Sequence, residues 1–175
     1  VPRENLNGLV VERTGMSAVL YGLTGVGGPW AQDPPYYAEV VAFETGPERD
    51  WAHIRLAGWR GWQHDRWIYF YHNSGPVVVV DEARGPVGAK SALVWHLVGG
   101  EEVAPRRFHL RSGDAPVEMV LVPVDGGGVW ERDDEDAGVR IQHFGQSGFR
   151  VAAVLLFGEW TEAEITNTAA RSREF

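Results

Sequence analysis

Residues 61–97 read GWQHDRWIYFYHNSGPVVVVDEARGPVGAKSALVWHL, and this stretch decides the fold. Arg66 to Tyr71 is dense in aromatic and β-branched side chains, which suit a pleated, half-buried surface. Asn73-Ser74-Gly75-Pro76 supplies turn chemistry, Gly allowing a positive φ and Pro fixing its own, so the chain is expected to reverse there. Val77 to Val80 is an unbroken β-branched run. A strand without a polar side must be covered on both faces, which places it in the middle of a sheet. A second turn follows at Gly85-Pro86-Val87-Gly88, and Ser91 to Val98 reads as a third strand.

Three residues with ligand chemistry ride on these strands: His64, Asp81 and His96. A hairpin centred between Gly88 and Ala89 sets Asp81 and His96 directly opposite each other on one face. A first hairpin centred between Ser74 and Gly75 sets Ile68, not His64, opposite Asp81. His64 is then four residues off on the same face, and it reaches Asp81 only through a bulge or a shifted register. The spacing therefore supports the pair Asp81 and His96 and leaves His64 dependent on register.

Working outward, 175 residues with 44% hydrophobic content make one well-buried domain over 1–175. Twenty-two Gly and ten Pro between short apolar runs favour many strands and turns over helices. Residues 1–36 read as edge strands, Leu9 to Arg13 and Ser17 to Tyr21, followed by a long Gly/Pro loop. Ala38 to Glu44 and Trp51 to Gly58 are further strands. In the second, Ala52, Ile54 and Leu56 alternate with Trp51, His53 and Arg55, so His53 is expected on a solvated face. Arg106 to Arg111, Val117 to Val124, Gly128 to Arg132, Val139 to Phe144 and Phe149 to Phe157 read as a meander of antiparallel hairpins. Thr161 onward is expected to form a last short strand and then fray, with 168–175 as tail. About ten to thirteen strands are too many for one strongly twisted open sheet. The expected class is all-β, an antiparallel β-sandwich of two packed sheets.

The succession Gly61-Trp62-Gln63-His64-Asp65-Arg66, then Val78-Val79-Val80-Asp81, then Trp95-His96-Leu97 resembles the C-terminal β-sheet domain of the heparinase II/III-like polysaccharide lyases. The resemblance covers 37–167. It implies a two-part enzyme in which an α-helical toroid precedes the β-sheet domain and carries most groups for β-elimination of uronic-acid polysaccharides. This chain has no such helical region, so the resemblance implies a β-sandwich domain that is inactive alone, a fragment or stand-alone remnant of a periplasmic or secreted lyase. It also implies a structural metal, typically zinc, held by Asp81 and His96 with His64 as third ligand. Some family members carry two His one residue apart here, one catalytic and one metal-binding, whereas Trp62 and Arg66 flank a single His64. His64 is thus either the cleft histidine or the ligand. His109 and His143 are alternative ligands in its place.

The absence of Cys leaves only His and carboxylates to hold a metal. No stretch approaches the roughly 20 apolar residues of a membrane-spanning helix. A net charge of −8 argues against nucleic acid as partner and requires a local basic patch for an acidic polysaccharide. Arg60 and Arg66 are the candidates, since a guanidinium fork matches a uronate carboxylate; surface ion pairing is the plainer reading. Trp30, Tyr36, Tyr37 and Trp59 offer aromatic faces for sugar rings, or else cover a sheet edge. With these residues as contacts, a non-catalytic carbohydrate-binding or assembly module is the alternative function. Gly25-Val26-Gly27-Gly28 runs into Pro29 and Trp30, which excludes a phosphate loop. Glu131 to Asp136 lacks the spacing of a calcium loop and is expected as a solvated acidic turn.

Overall fold

Val77 to Val80 builds the middle of the molecule, as its composition requires: Val78 is 2% exposed and Val80 fully buried. The computed structural model describes residues 8–11, 39–59, 61–88, 90–112, 115–135, 138–146 and 148–172. Twelve strands appear among them: β1 (Gly8–Val11), β2 (Glu39–Thr45), β3 (Arg49–Trp59), β4 (Trp62–Tyr71), β5 (Val77–Arg84), β6 (Lys90–Val98), β7 (Glu101–Ala104), β8 (Arg107–Ser112), β9 (Ala115–Asp125), β10 (Val129–Glu135), β11 (Gly138–Gln146) and β12 (Gly148–Phe157). One helix, α1 (Glu162–Arg171), follows. Eight strands form one sheet in the order β2-β3-β4-β5-β12-β9-β8-β7, and four form a second in the order β1-β6-β11-β10. The expected antiparallel β-sandwich is the fold.

Alternation along β5, β9 and β12 feeds two cores, one on each face of the large sheet. Ala83, Met119, Leu121, Val151 and Ala153 meet Leu93, Trp95 and Leu97 of β6 on the inner face, between the sheets. Val78, Val80, Val122, Ala152, Val154 and Leu156 pack with Ile165 of α1 on the outer face. Burying both faces accounts for the near absence of polar residues in the middle of β12, GFRVAAVLLF.

The route between sheets corrects the expected hairpin of Asp81 and His96, and it breaks the expected meander, since β9 pairs with β12 and not with β10. β5 and β6 do not pair: β12 occupies the second edge of β5, Val151 opposite Asp81, and β6 crosses into the small sheet between β1 and β11. The crossing is held by Gly85, where an added Cβ would lie 2.4 Å from the buried Trp62 ring. β4 and β5 do form a hairpin, but its tip is Asn73 and Ser74, at φ 54° and 61°, with the Gly75 amide donating to His72 O at 3.1 Å. The left-handed pair sits one residue earlier than Gly75 suggested, and every cross-strand partner shifts with it.

Two further expectations change. Residues 131–135 continue β10 as strand, not acidic turn. The tail is a helix: Thr161 and Glu164 form a reciprocal capping box that satisfies the first orphan amides, and Arg107 joins Glu162 to Glu118 of β9. The Ser17 to Tyr21 strand lies outside the described residues.

Candidate functional site

The shifted hairpin sets Arg66 directly opposite Asp81 and His64 opposite Ala83, one pleat further along the same face. Arg66 grips the carboxylate side-on, Nε to Oδ1 at 2.7 Å and Nη2 to Oδ2 at 3.1 Å. His64 Nε2 lies 2.7 Å from the same Oδ1. An ionised carboxylate only accepts, so Nε2 carries the hydrogen and donates it. Asp81 has no exposed surface, whereas the Arg66 side chain is 27% exposed. Burial alone would disfavour the charged form of Asp81. The hydrogen bonds from His64 and Arg66 and the Arg66 charge outweigh it and hold the carboxyl below its usual value.

Arg66 also lines a cleft of about 410 Å³ between the two sheets, with Val79, Leu110, Met119, Leu155 and Phe157 on one side and Trp95 to Val98 of β6 on the other. The cleft is largely apolar. Because Asp81 takes the Nε and Nη2 side of the guanidinium, Nη1 has no partner among the described residues. Side-on fixing by a buried acid leaves Nη1 as a donor that Asp81 does not use.

His96 borders this cleft but does not meet Asp81 across a hairpin, because β6 belongs to the other sheet, where His96 faces Arg140 of β11. Alternation puts its side chain on the opposite side of β6 from Trp95 and Leu97. The expected zinc ligands His64, Asp81 and His96 are therefore not gathered as one set. No group of three or more His, Asp or Glu side chains suited to a metal occurs among the described residues. Among the described residues the surroundings of Asp81 do not fit a zinc ion: both its oxygens already accept from the Arg66 cation, and His64 is the one other ligand-type side chain bonded to it. Of the expected sugar contacts, Trp30, Tyr36, Tyr37 and Arg60 lie outside the described residues. Trp59 ends β3 and pairs with Trp62.

On the outer face the same arrangement recurs where none was expected. Asp65, 1% exposed, receives Arg55 Nε at 2.8 Å and His53 Nε2 at 2.6 Å on one oxygen and Gln63 on the other. Burial opposes its charge, and the hydrogen bonds from Gln63, Arg55 and His53 again win, lowering its pKa. His53 is thus buried, 8% exposed, and stacked on Trp67, contrary to the solvated face expected for it. The signal was present: His53-Ile54-Arg55 and His64-Asp65-Arg66 are two His-x-Arg pairs, each followed by an Asp on the next strand.

No protein-family model matches the sequence. No curated protein sequence matches it. Solved structures do. A heparinase III gene product matches with a TM-score of 0.57 and 13% identity over 69% of this chain. The chain shares its fold with part of heparinase III. A crystal structure of heparinase III gives a TM-score of 0.53 at 12% identity over 72% of this chain. Heparan sulfate lyase HepC from Pedobacter heparinus gives 0.55 at 12% identity over 71%. The chain spans about a fifth of these chains, 21–22% of their length. Among the described residues no helix is long and apolar enough to cross a membrane.

Proposed function

We propose that this chain is the β-sandwich part of a polysaccharide lyase that cleaves uronic-acid-containing polysaccharide by β-elimination, and that Arg66 receives the uronate carboxylate in the cleft. The observation that carries the reading is that Arg66 lines that cleft with Nη1 unclaimed among the described residues, in a fold shared with part of heparinase III.

In such a reaction a base removes the proton on the carbon next to the carboxylate. The electrons of that bond form a carbon–carbon double bond as the glycosidic oxygen departs from the neighbouring carbon and takes up a proton. Negative charge builds on the uronate carboxylate as the proton leaves, so a fixed guanidinium against it stabilises the transition state more than the ground state. Asp81 and His64 act through Arg66 as positioning residues: they set the angle of the fork and keep it from turning into solvent. The acid and base are assigned to a helical domain of a longer protein, and the chain alone binds without cleaving. A non-catalytic carbohydrate-binding module would share the binding step but need no such domain.

The test is incubation of the purified chain with acidic polysaccharide, following ultraviolet absorbance of unsaturated uronide alongside a binding titration. Binding without product is expected. Product from the chain alone would overturn the assignment of acid and base elsewhere, and absence of any uronate binding would overturn the reading itself.

A further inference from the structure

Two turns at one end of the large sheet meet on a single side chain. Gly46-Pro47-Glu48 joins β2 to β3, and Asn73-Ser74 forms the tip between β4 and β5. The β3–β4 register ends with Arg49 opposite Tyr71. One step beyond, the His72 amide donates to Glu48 O at 2.9 Å. The His72 ring reaches to either side of Glu48: Nδ1 lies 3.3 Å from Pro47 O, and Nε2 lies 3.2 Å from Asp50 Oδ2.

Neither acceptor has a hydrogen to give. A peptide carbonyl only accepts, and so does an ionised carboxylate. For both contacts to be hydrogen bonds each ring nitrogen must carry a hydrogen, and only the imidazolium has two. A neutral ring serves one of the two oxygens and turns a lone pair toward the other. The surrounding charges favour the cation. Asp50 on β3 is the carboxylate in contact, and Glu48 adds a second acid to the turn. Arg49, on the other face of β3 by alternation, gives Nη1 to the Tyr71 hydroxyl at 3.0 Å. From β4 comes the Phe70 ring, 6.1 Å away at 57°, and Asn73, Ser74, Gly75 and Pro76 of the tip are uncharged. The bond to Asp50 and then the bond to Pro47 raise the His72 pKa from its ordinary 6.5.

We propose that His72 is a proton-operated latch between the two turns: as an imidazolium it ties Pro47 and Asp50 to the β4–β5 tip, and on losing its proton it releases one of them and loosens the β2 end of the sheet. The latch does not depend on the lyase reading. β2 is the strand it controls. Among the described residues β2 is an edge strand bonded to β3 alone, its register shifts between Val40 and Ala42, and Val40 and Phe43 are 65% and 64% exposed. With so little apolar burial, the bonds at its turn set how readily it opens. A raised folded pKa gives a contribution that is complete below the unfolded value and lost as pH rises through the folded one. The turn is therefore closed in mild acid and loosens toward alkaline pH. The ring and the carboxylate are 30% and 35% exposed, so solvent screens the pair and the opening is local, without a shift in global melting.

The experiment is an NMR titration of the purified chain from about pH 5 to about pH 9, reading the His72 ring, with amide hydrogen exchange measured on either side of the His72 midpoint. Wild type is compared with Asp50→Asn and with His72→Gln, which identifies the ring signal by its loss and keeps a polar side chain without the charge. In wild type the midpoint is expected above 6.5, with hydrogens on both ring nitrogens below it. Protection of the His72 amide and of the β2 amides should fall as pH passes the midpoint, beyond the intrinsic rise in exchange. Asp50→Asn should move the midpoint down, and His72→Gln should abolish the step in protection. A wild-type midpoint at or below 6.5, or protection with no step across it, overturns the latch, and so does an unchanged midpoint in a folded Asp50→Asn protein. The wild-type readouts decide the matter even where a variant fails to fold.

Discussion

Arg66 and Asp81 face each other across β4 and β5 and meet through two parallel contacts, 2.7 and 3.1 Å, with the carboxylate fully enclosed and Arg66 among the residues that line the cleft. A buried acid paired with a partly exposed cation costs little while intact and much when broken, since either single loss leaves a charge without its counterpart. Arg66→Ala is expected to destabilise the chain by about 3 kcal/mol, the low end for such pairs because Arg66 is 27% exposed. Combining Arg66→Met with Asp81→Leu should cost less than the two single changes added, by at least about 1 kcal/mol. Urea unfolding of all four proteins measures this; strict additivity would show that the pair is not coupled.

Acid should unfold the protein through the same carboxylates. Asp81 and Asp65 both have folded pKa values lowered from the ordinary 3.8. A depressed folded pKa gives stability that is complete above the unfolded value and is lost as pH falls through the folded one. The melting temperature should therefore be flat near neutrality and drop below about pH 4. Asp81→Asn, less stable at pH 7, should show a shallower acid drop. An equally steep drop in Asp81→Asn and Asp65→Asn would assign acid unfolding to other groups.

Arg66 stands against Asp81 where the family resemblance called for a metal ion, so folding should not need one. Dialysis against a chelator is expected to leave the melting temperature unchanged. Elemental analysis showing about one zinc per chain, lost in His64→Ala, would contradict this and require ligands beyond the described residues.

The sequence carried the local features well and the distant ones poorly. Alternation in β3 and the apolar run of β5 were visible because strand periodicity and composition are local properties. His64 and Asp81 were rightly joined to one face, since parity survives any even shift of register. The partner of Asp81 was misplaced because Asn73 and Ser74, not Gly75, take the left-handed conformation at the hairpin tip. His96 was misplaced for a non-local reason: β12, some seventy residues after β5, claims the edge that β6 was expected to fill. His53 looked solvated because its burial depends on Asp65 and Trp67 across the hairpin. The helix at Glu162 is legible in Thr161-x-x-Glu164, a capping box at the end of a β-rich chain.

The most direct measurement is the affinity of the purified chain for an oligo-uronate, wild type beside Arg66→Lys. Lysine keeps the positive charge against Asp81, so the fold should persist, but it lacks the fork that addresses two carboxylates at once. Expected are a melting profile near pH 7 unaltered to within about 1 kcal/mol and binding weakened about tenfold or more, with protection lost at β4 and along the cleft. Equal affinity in a folded Arg66→Lys protein would contradict the assignment of Arg66 as the uronate receptor.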